Sequence, residues 1–294
     1  MFRGAITALV TPFRNGKIDE EAFRSHIDWQ IAQGIHGIVP CGTTGESATL
    51  SHEEHRRVVE IAVEEAKGRV PVIAGTGSNN TSEAVALTLH AKKAGASAAL
   101  MITPYYNKPS PEGMYLHYKK VAEESAFPII VYNVPGRTAV NLAPETVARI
   151  SKVPGIVGIK EATGNLEQVS RIIELCGESF DVFSGDDATN LPLLALGGCG
   201  VISVVSNLAP RDMSAMCEAF FAGDIKKARE LHYKMAPLAR DLFVEVNPVP
   251  VKAALGMMGR IEDTVRLPLC QLREESFKKL RKTVEAYGLA GGAK

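Results

Sequence analysis

Apolar residues along the chain fall into short uninterrupted runs, and each run is followed by a longer segment in which apolar positions repeat with helical spacing. Uninterrupted apolar runs of this length are typical of parallel strands that are buried on both faces. Turn-forming residues such as Gly, Pro and Asn bound the runs. Eight strands are predicted in this way, at residues 5–10, 37–41, 70–74, 98–103, 128–133, 156–160, 181–184 and 200–205.

The segments between the predicted strands have the spacing of amphipathic helices. The clearest helical segments cover residues 20–33, 53–67, 82–94 and 111–124. Ser51 and Glu54 have the form of a capping box at the start of the second one. Eight consecutive βα units match a (β/α)8 TIM barrel in number, order and length better than a doubly wound sheet, which has fewer strands. The predicted fold class is therefore α/β.

The alternation stops after the eighth strand. From residue 210 onward the pattern is helical, with predicted helices at residues 211–222, 225–243, 251–258 and 274–287. We therefore expect a (β/α)8 catalytic barrel over residues 1–224 and a C-terminal helical module over residues 225–294.

Composition narrows the choice of partner. The chain has 294 residues with 33 basic and 33 acidic side chains, so we expect no electrostatic affinity for nucleic acid or for a membrane surface. Its five cysteines are scattered and lack CxxC spacing, which indicates neither a disulfide framework nor a zinc site. No secretory pattern or long apolar stretch is present, so a cytoplasmic location is expected.

Lys160 closes the sixth apolar run, which places an amine at the end of a predicted core strand. Burial disfavours the ammonium form and so favours the neutral amine that forms Schiff bases. The alternative is a lysine whose stem is buried while its head reaches solvent. Barrel active sites lie at the C-terminal ends of the strands, which favours the catalytic interpretation.

Tyr132 precedes Lys160 by one βα unit, so the two side chains are expected side by side on strands five and six. A tyrosine there can donate and accept the protons that imine and enamine formation require. Thr43 or Thr44 can link it to a relay, and their glycine-flanked loop presents backbone N–H groups to a carboxylate. The predicted substrate is a keto acid.

Three motifs carry a family resemblance: Gly-Thr-Thr-Gly-Glu-Ser at 42–47, Tyr-Asn-Val-Pro-Gly-Arg-Thr at 132–138 and Gly-Ile-Lys-Glu-Ala at 158–162. They resemble the dihydrodipicolinate synthase family, also called 4-hydroxy-tetrahydrodipicolinate synthases, which are class I pyruvate-dependent aldolases. The resemblance covers essentially the whole chain. Further matching stretches lie at residues 72–77, 103–109, 184–187 and 247–252.

The resemblance implies a condensation of pyruvate with L-aspartate 4-semialdehyde in diaminopimelate and lysine biosynthesis, without metal or organic cofactor. Lys160 forms the imine with pyruvate, and Tyr132 donates and accepts protons. Thr43 is the relay hydroxyl, and Tyr106 is the third relay member, reaching into the active site of a neighbouring subunit.

Four further positions are implied to bind substrate. Thr44 binds the pyruvate carboxylate, Ile202 contacts the imine-bound pyruvate through its backbone, and Gly185 lines the pocket. Arg137 binds the carboxylate of the aldehyde, a role that suits its planar guanidinium.

A regulatory site is also implied, in which lysine binds between subunits and inhibits the enzyme. The matching residues are Ser47, His52, His55, Asn79, Glu83 and Tyr105. Glu83 supplies a carboxylate for the ammonium groups of lysine. The family pattern further implies a homo-oligomer, with a tetramer built as a dimer of dimers as the expected form.

Other functions are considered and weighed against these residues. Sister aldolases that act on sugar-derived aldehydes share the lysine and tyrosine, but Arg137 favours the semialdehyde. A non-catalytic sensing barrel is expected to lose Lys160 or Tyr132. The spacing of His52 and His55 does not match HExxH, and the glycines at 75 and 77 lack the third glycine of a dinucleotide site.

Overall fold

A computed structural model describes residues 2–290, and its centre is a barrel of eight parallel strands. In chain order, β1 to β8 are Gly4–Ala8, Gly37–Val39, Ile73–Gly75, Ala98–Ile102, Ile129–Asn133, Ile156–Glu161, Asp181–Ser184 and Gly200–Ser203. Strands β3 to β8 pair consecutively, β8 pairs with β1, and β1 pairs with β2. A bridge between Ile38 and Val72 closes the ring. All eight predicted strands are confirmed.

Helices follow the strands and cover the outside of the barrel, and a further short helix, Pro135–Thr138, lies between β5 and the helix that begins at Pro144. The helices α1 to α8 are Glu20–Ala32, His52–Ala66, Thr81–Ala94, Pro111–Ser125, Pro144–Ile150, Leu166–Cys176, Asn190–Ala195 and Pro210–Phe221. The capping box of α2 is present, because Glu54 N–H donates to Ser51 Oγ and Ser51 N–H donates to the Glu54 carboxylate. The (β/α)8 TIM barrel predicted from the sequence is confirmed.

Each strand is buried on both faces, which explains the uninterrupted apolar runs. Side chains such as Ile6, Leu100, Ile130 and Phe183 fill the inside of the barrel. A larger apolar layer lies between the strands and the surrounding helices. The barrel interior is therefore a packed core, and open space is left for a site at the end of the strands.

Three helices follow the barrel: α9 Ile225–Asp241, α10 Val249–Met257 and α11 Glu274–Ala286. The helical character predicted for this segment is confirmed, while the domain boundary at residue 224 stays a prediction. Residue 1 and residues 291–294, included in the predicted domains, lie outside the described residues. No helix within residues 2–290 is long and apolar enough to cross a membrane.

Candidate active site

A cavity of about 570 Å³ opens at the C-terminal ends of the barrel strands. Six of the predicted active-site residues line it: Thr43, Thr44, Tyr132, Arg137, Lys160 and Gly185. These residues come from four different strand ends and the loops after them. The barrel thus brings together residues as far apart in the sequence as Thr43 and Gly185.

Lys160 and Tyr132 form the centre of the cavity. They are register partners on β6 and β5, so their side chains leave the sheet next to each other. Only 5% of Lys160 and 7% of Tyr132 is exposed, and Lys160 Nζ lies 4.2 Å from the centroid of the Tyr132 ring. The prediction that the two residues stand side by side is confirmed. The Lys160 amine therefore packs over the face of the Tyr132 ring.

Gly185 leaves the room that the Lys160 side chain occupies. A Cβ atom at this position would lie 3.0 Å from Lys160 Cε and 2.6 Å from Ala162 Cβ. Contacts that short force neighbouring atoms to move, so a larger residue would displace the amine. The glycine is therefore required by packing around Lys160.

The carboxylate of Glu161, directly after Lys160, is held away from the amine. It accepts hydrogen bonds from Asn133 Nδ2 at 2.9 Å and from the N–H of Thr163 at 2.8 Å. Gln168 Nε2 is a third donor at 3.3 Å. A carboxylate with three donors is satisfied as a structural group.

Asn247 connects two of the predicted substrate-binding residues, and the sequence analysis assigned it no role. Its Nδ2 donates to Thr44 Oγ1 at 3.0 Å, and its backbone carbonyl accepts from Arg137 Nη2 at 3.2 Å. Asn247 lies 110 positions from Arg137 and on the segment that leads into α10. The only sequence signal was its place in the matching stretch at residues 247–252.

Asp187 is a second cavity residue whose role the sequence did not indicate. Its Oδ2 accepts from the N–H groups of Val204 and Val205, each at 3.0 Å, while Oδ1 has no partner among the described residues. Burial raises the pKa of this carboxyl group. Asp187 fixes the backbone after β8 next to the cavity.

Two predicted active-site residues lie outside the cavity lining. Ile202 on β8 is fully buried inside the barrel, so its side chain belongs to the core. Tyr106 is 88% exposed and has a positive φ of 71°. Tyr106 lines neither of the two cavities described here, whereas Tyr132 and Thr43 line both.

A second cavity of about 550 Å³ contains most of the predicted lysine site. Its lining includes Ser47, His52, His55, Glu83 and Tyr105. His52 Nε2 lies 3.2 Å from Glu83 Oε1. The remaining member, Asn79, is outside the lining, but its Nδ2 donates to the Tyr105 carbonyl at 3.2 Å. The six residues are therefore neighbours in space.

The two cavities share part of their walls. Gly42, Thr43, Tyr132 and Arg137 line both of them. His55 lines the second cavity, and burial lowers its pKa to about 4, so its ring is neutral at pH 7. A ligand in the second cavity would meet the carboxylate of Glu83 beside the hydrogen-bonding groups of Ser47, His55 and Tyr105.

Neither a metal site nor a reactive thiol at Cys41 is indicated among the described residues. Residues 2–290 contain no group of three or more His, Cys, Asp or Glu side chains that could hold a metal ion. Cys41 is buried, and burial raises the pKa of its thiol. Such a thiol reacts slowly because the thiolate is the reactive form.

The fold and the site together define a class of protein: a (β/α)8 barrel with a buried amine and a phenol at the catalytic end of the strands. Within that class the chain belongs to the dihydrodipicolinate synthetase family, whose model matches residues 1–287. The resemblance stated from the motifs is thereby confirmed, and the chain belongs to a family of lyases.

Relatives with curated names agree with this assignment. The 4-hydroxy-tetrahydrodipicolinate synthase of Maridesulfovibrio salexigens is 63% identical over 289 residues, which are 98% of this chain and 99% of the relative.

Solved structures are similar as well. A chloride-inhibited dihydrodipicolinate synthase from Acinetobacter baumannii, complexed with pyruvate, is 46% identical with a TM-score of 0.96, covering 98% of this chain and 100% of that one. A dihydrodipicolinate synthase from Cyanidioschyzon merolae with lysine bound is 39% identical with a TM-score of 0.95, covering 98% and 99%.

Proposed function

We propose that the chain condenses pyruvate with L-aspartate 4-semialdehyde to give 4-hydroxy-tetrahydrodipicolinate, through an imine on Lys160. The pairing of Lys160 with Tyr132 inside the barrel cavity carries this proposal. The names of the relatives at about 60% identity support the choice of substrates.

In the first half of the reaction the neutral amine of Lys160 attacks the keto carbon of pyruvate. The carbonyl oxygen leaves as one water molecule, and a C=N bond forms in its place. Tyr132 supplies the proton that this oxygen needs, and Thr43 passes protons between Tyr132 and the Tyr106 of a neighbouring subunit. The Thr44 hydroxyl and the backbone of its loop hold the pyruvate carboxylate.

In the second half a proton passes from the pyruvate methyl group to the Tyr132 oxygen, and the resulting enamine attacks the aldehyde carbon of the semialdehyde. The aldehyde oxygen takes up a proton and becomes the hydroxyl group of the product. The amino group of the semialdehyde then displaces Lys160 from the former keto carbon, which closes the ring and releases the enzyme. Arg137 lines the cavity and is placed to bind the semialdehyde carboxylate with two parallel hydrogen bonds. Its anchor on the Asn247 carbonyl limits the directions in which the guanidinium can point.

Turnover with a panel of aldehydes tests the proposal. Pyruvate consumption is measured with L-aspartate 4-semialdehyde, N-acetylmannosamine and glyceraldehyde, each with the unchanged enzyme and with Lys160→Ala. We expect turnover with the semialdehyde alone and its loss in the variant. Turnover with a sugar aldehyde would instead assign the chain to a sister aldolase, and no turnover at all would favour a sensing barrel.

We also propose that L-lysine inhibits the enzyme from the second cavity. The carboxylate of Glu83 matches an ammonium group of lysine, and the walls shared with the active site give the ligand a short route to Thr43 and Tyr132. The lysine-bound structure from Cyanidioschyzon merolae supports this role. Glu83→Gln should weaken inhibition at least about tenfold, because it removes a charge-assisted contact. Glu53→Gln, an exposed position on α2, is the matched control; no inhibition of the unchanged enzyme at millimolar lysine would refute the idea.

A homo-oligomer completes the proposed site, with a tetramer as a dimer of dimers as the expected form. The exposed Tyr106 ring on its positive-φ turn supports an intersubunit role. Sedimentation velocity measures the assembly directly, and a chain that is monomeric and fully active would contradict the role of Tyr106. The cytoplasmic location stays a prediction, and fractionation of cells tests it.

A further inference from the structure

A buried ion pair lies directly beneath the loop that carries Thr43 and Thr44. Lys252 of α10 donates from Nζ to Glu46 Oε1 at 2.6 Å. The side chains of Lys252 and Glu46 are 0% and 1% exposed, so both charges are removed from water. The two residues are 206 positions apart, and the pair joins the C-terminal helices to the second βα loop of the barrel.

The surroundings of the pair leave it no freedom to reorient. The second carboxylate oxygen of Glu46 accepts from the N–H of Arg266 at 3.1 Å. The Phe13 ring packs against both cations, with Lys252 Nζ and Arg266 Cζ each 4.2 Å from its centroid. Burial lowers the pKa of Lys252, and the neighbouring Glu46 carboxylate opposes that change.

Glu46 is also part of the turn that shapes the threonine loop. Its N–H donates to the Thr43 carbonyl at 3.1 Å, and Gly45 N–H donates to the Gly42 carbonyl at 3.1 Å. The backbone of Glu46 has a φ of 54°, in the left-handed region that residues other than glycine rarely adopt. A side chain anchored at both oxygens holds this backbone in place.

The same C-terminal segment reaches the loop at a second point. Asn247, five positions before Lys252, donates to Thr44 Oγ1 at 3.0 Å. The loop is thus held on one side by a hydrogen bond to Thr44 and from beneath by the ion pair at Glu46. Both contacts come from the start of α10 and the residues before it.

A buried ion pair is weak as a source of stability, because removing two charges from water offsets most of their attraction. Its geometry is nevertheless strict. We propose that the Lys252–Glu46 pair is a positioning device, which holds the loop so that Thr43 and Thr44 face Lys160 and Tyr132. This inference rests on the proposed Schiff-base function, and Lys252 and Glu46 are positioning residues that do not touch substrate.

The double variant Glu46→Gln/Lys252→Met separates positioning from stability. It removes both charges at nearly constant volume, so we expect its melting temperature to stay near that of the unchanged enzyme. Lys252→Met alone leaves an unpaired buried carboxylate and should melt at a much lower temperature. Thr283→Val is the control, because it removes a 2.6 Å hydrogen bond to the buried Asp241 carboxylate, and neither residue lines the two cavities. This control should lower the melting temperature without changing kcat.

In the double variant kcat should fall about 10- to 100-fold, and KM for pyruvate should rise, because displacing catalytic groups by about 1 Å costs this much. Compared with Lys252→Met alone, the double variant should regain the melting temperature but not kcat. A stable double variant with unchanged kcat and KM would overturn the proposal.

Glu46→Gln alone is the second variant, because it keeps the shape and one acceptor for Lys252. We expect kcat to fall and KM for pyruvate to rise, both by less than in the double variant. A folded Glu46→Gln enzyme with unchanged kcat and KM would overturn the proposal as well. The unchanged enzyme is tested in parallel for a pyruvate imine that borohydride traps on Lys160. An enzyme that forms the imine while the variants stay fully active refutes the positioning role alone. An unchanged enzyme that forms no imine refutes the proposed function and the inference together.

Discussion

Lys160 and Tyr132 are register partners on adjacent strands, and the amine of the first lies 4.2 Å from the ring centroid of the second. Parallel strands with a common register keep this relationship regardless of the loops around them. The backbone of the barrel, and not a flexible loop, therefore sets the distance between the proposed nucleophile and the proposed proton carrier.

Tyr132→Phe should lower kcat by about 10²- to 10⁴-fold, the range expected for loss of a positioned acid-base group. The phenyl ring still packs beside Lys160, so the melting temperature should change little. Steady-state kinetics and a thermal melt measure the two effects. Tyr118→Phe is the matched control, because Tyr118 is a buried tyrosine whose hydroxyl donates to the Met101 carbonyl at 3.3 Å outside both cavities. Equal losses of kcat in the two variants would argue against a proton-transfer role for Tyr132.

Arg137→Lys should raise KM for the semialdehyde about 10- to 100-fold, because a lysine replaces a two-point contact with a single one. The KM for pyruvate should stay nearly constant, since the proposed pyruvate contact is at Thr44. Initial rates with each substrate varied in turn give both constants. A rise of the same size for pyruvate would show that Arg137 does not distinguish the two carboxylates.

Tyr106 should work across the subunit interface, and complementation between inactive variants tests this. In a mixed dimer of Lys160→Ala and Tyr106→Phe chains, one site has both defects and the other site has none. Co-expression of the two chains in equal amounts should therefore restore about a quarter of the unchanged activity, since half of the dimers are mixed and half of their sites are complete. Activity no higher than the mean of the two separate variants would place Tyr106 in its own subunit's site.

Three buried histidines should make the protein less stable in mild acid. Burial lowers the pKa values of His26, His55 and His117 to about 4 each. In the unfolded chain a histidine has a pKa near 6.5, so the unfolded state binds more protons between about pH 4 and 6.5. The stabilising contribution is thus complete above about pH 6.5 and is lost as the pH falls towards 4.

Each histidine adds a slope of about 1.4 kcal/mol per pH unit to the free energy of unfolding within this window. Urea unfolding at several pH values between 4.5 and 7.5 measures the slope. His117→Gln should reduce the slope by roughly the contribution of one histidine, because glutamine does not titrate in this range. In the folded protein the Nε2 of His117 is buried without a partner among the described residues, which disfavours its protonation. An unchanged slope in this variant would mean that His117 is already protonated in the folded state.

Much of the fold could be predicted because its strands and helices produce local patterns of apolar and polar residues. The run ending at Lys160 and the run ending at Asn133 are apolar on both faces, and such runs identify buried parallel strands without knowledge of their neighbours. The position of Tyr132 beside Lys160 then followed from the spacing of one βα unit. The hairpin formed by Phe13–Arg14 and Lys17–Ile18 was missed, since two-residue strands are too short to show a period.

Contacts between distant segments could not be predicted in this way. The ion pair between Glu46 and Lys252 and the hydrogen bond from Asn247 to Thr44 each join positions more than 200 residues apart. The periodicity of apolar residues predicts a helix, but it does not predict which loop that helix will contact. The burial of Glu46 was likewise hidden, because a charged residue in a glycine-rich loop is ordinarily solvent-exposed.

Borohydride reduction in the presence of pyruvate tests the Schiff base at Lys160 most directly. The enzyme is reduced with and without pyruvate, digested, and analysed by mass spectrometry, with Lys160→Ala treated in parallel. The account predicts a single pyruvate-derived adduct on Lys160, loss of activity in step with its formation, and no adduct in the variant. Adduct on another lysine, or none on an enzyme that turns over the semialdehyde, would contradict it.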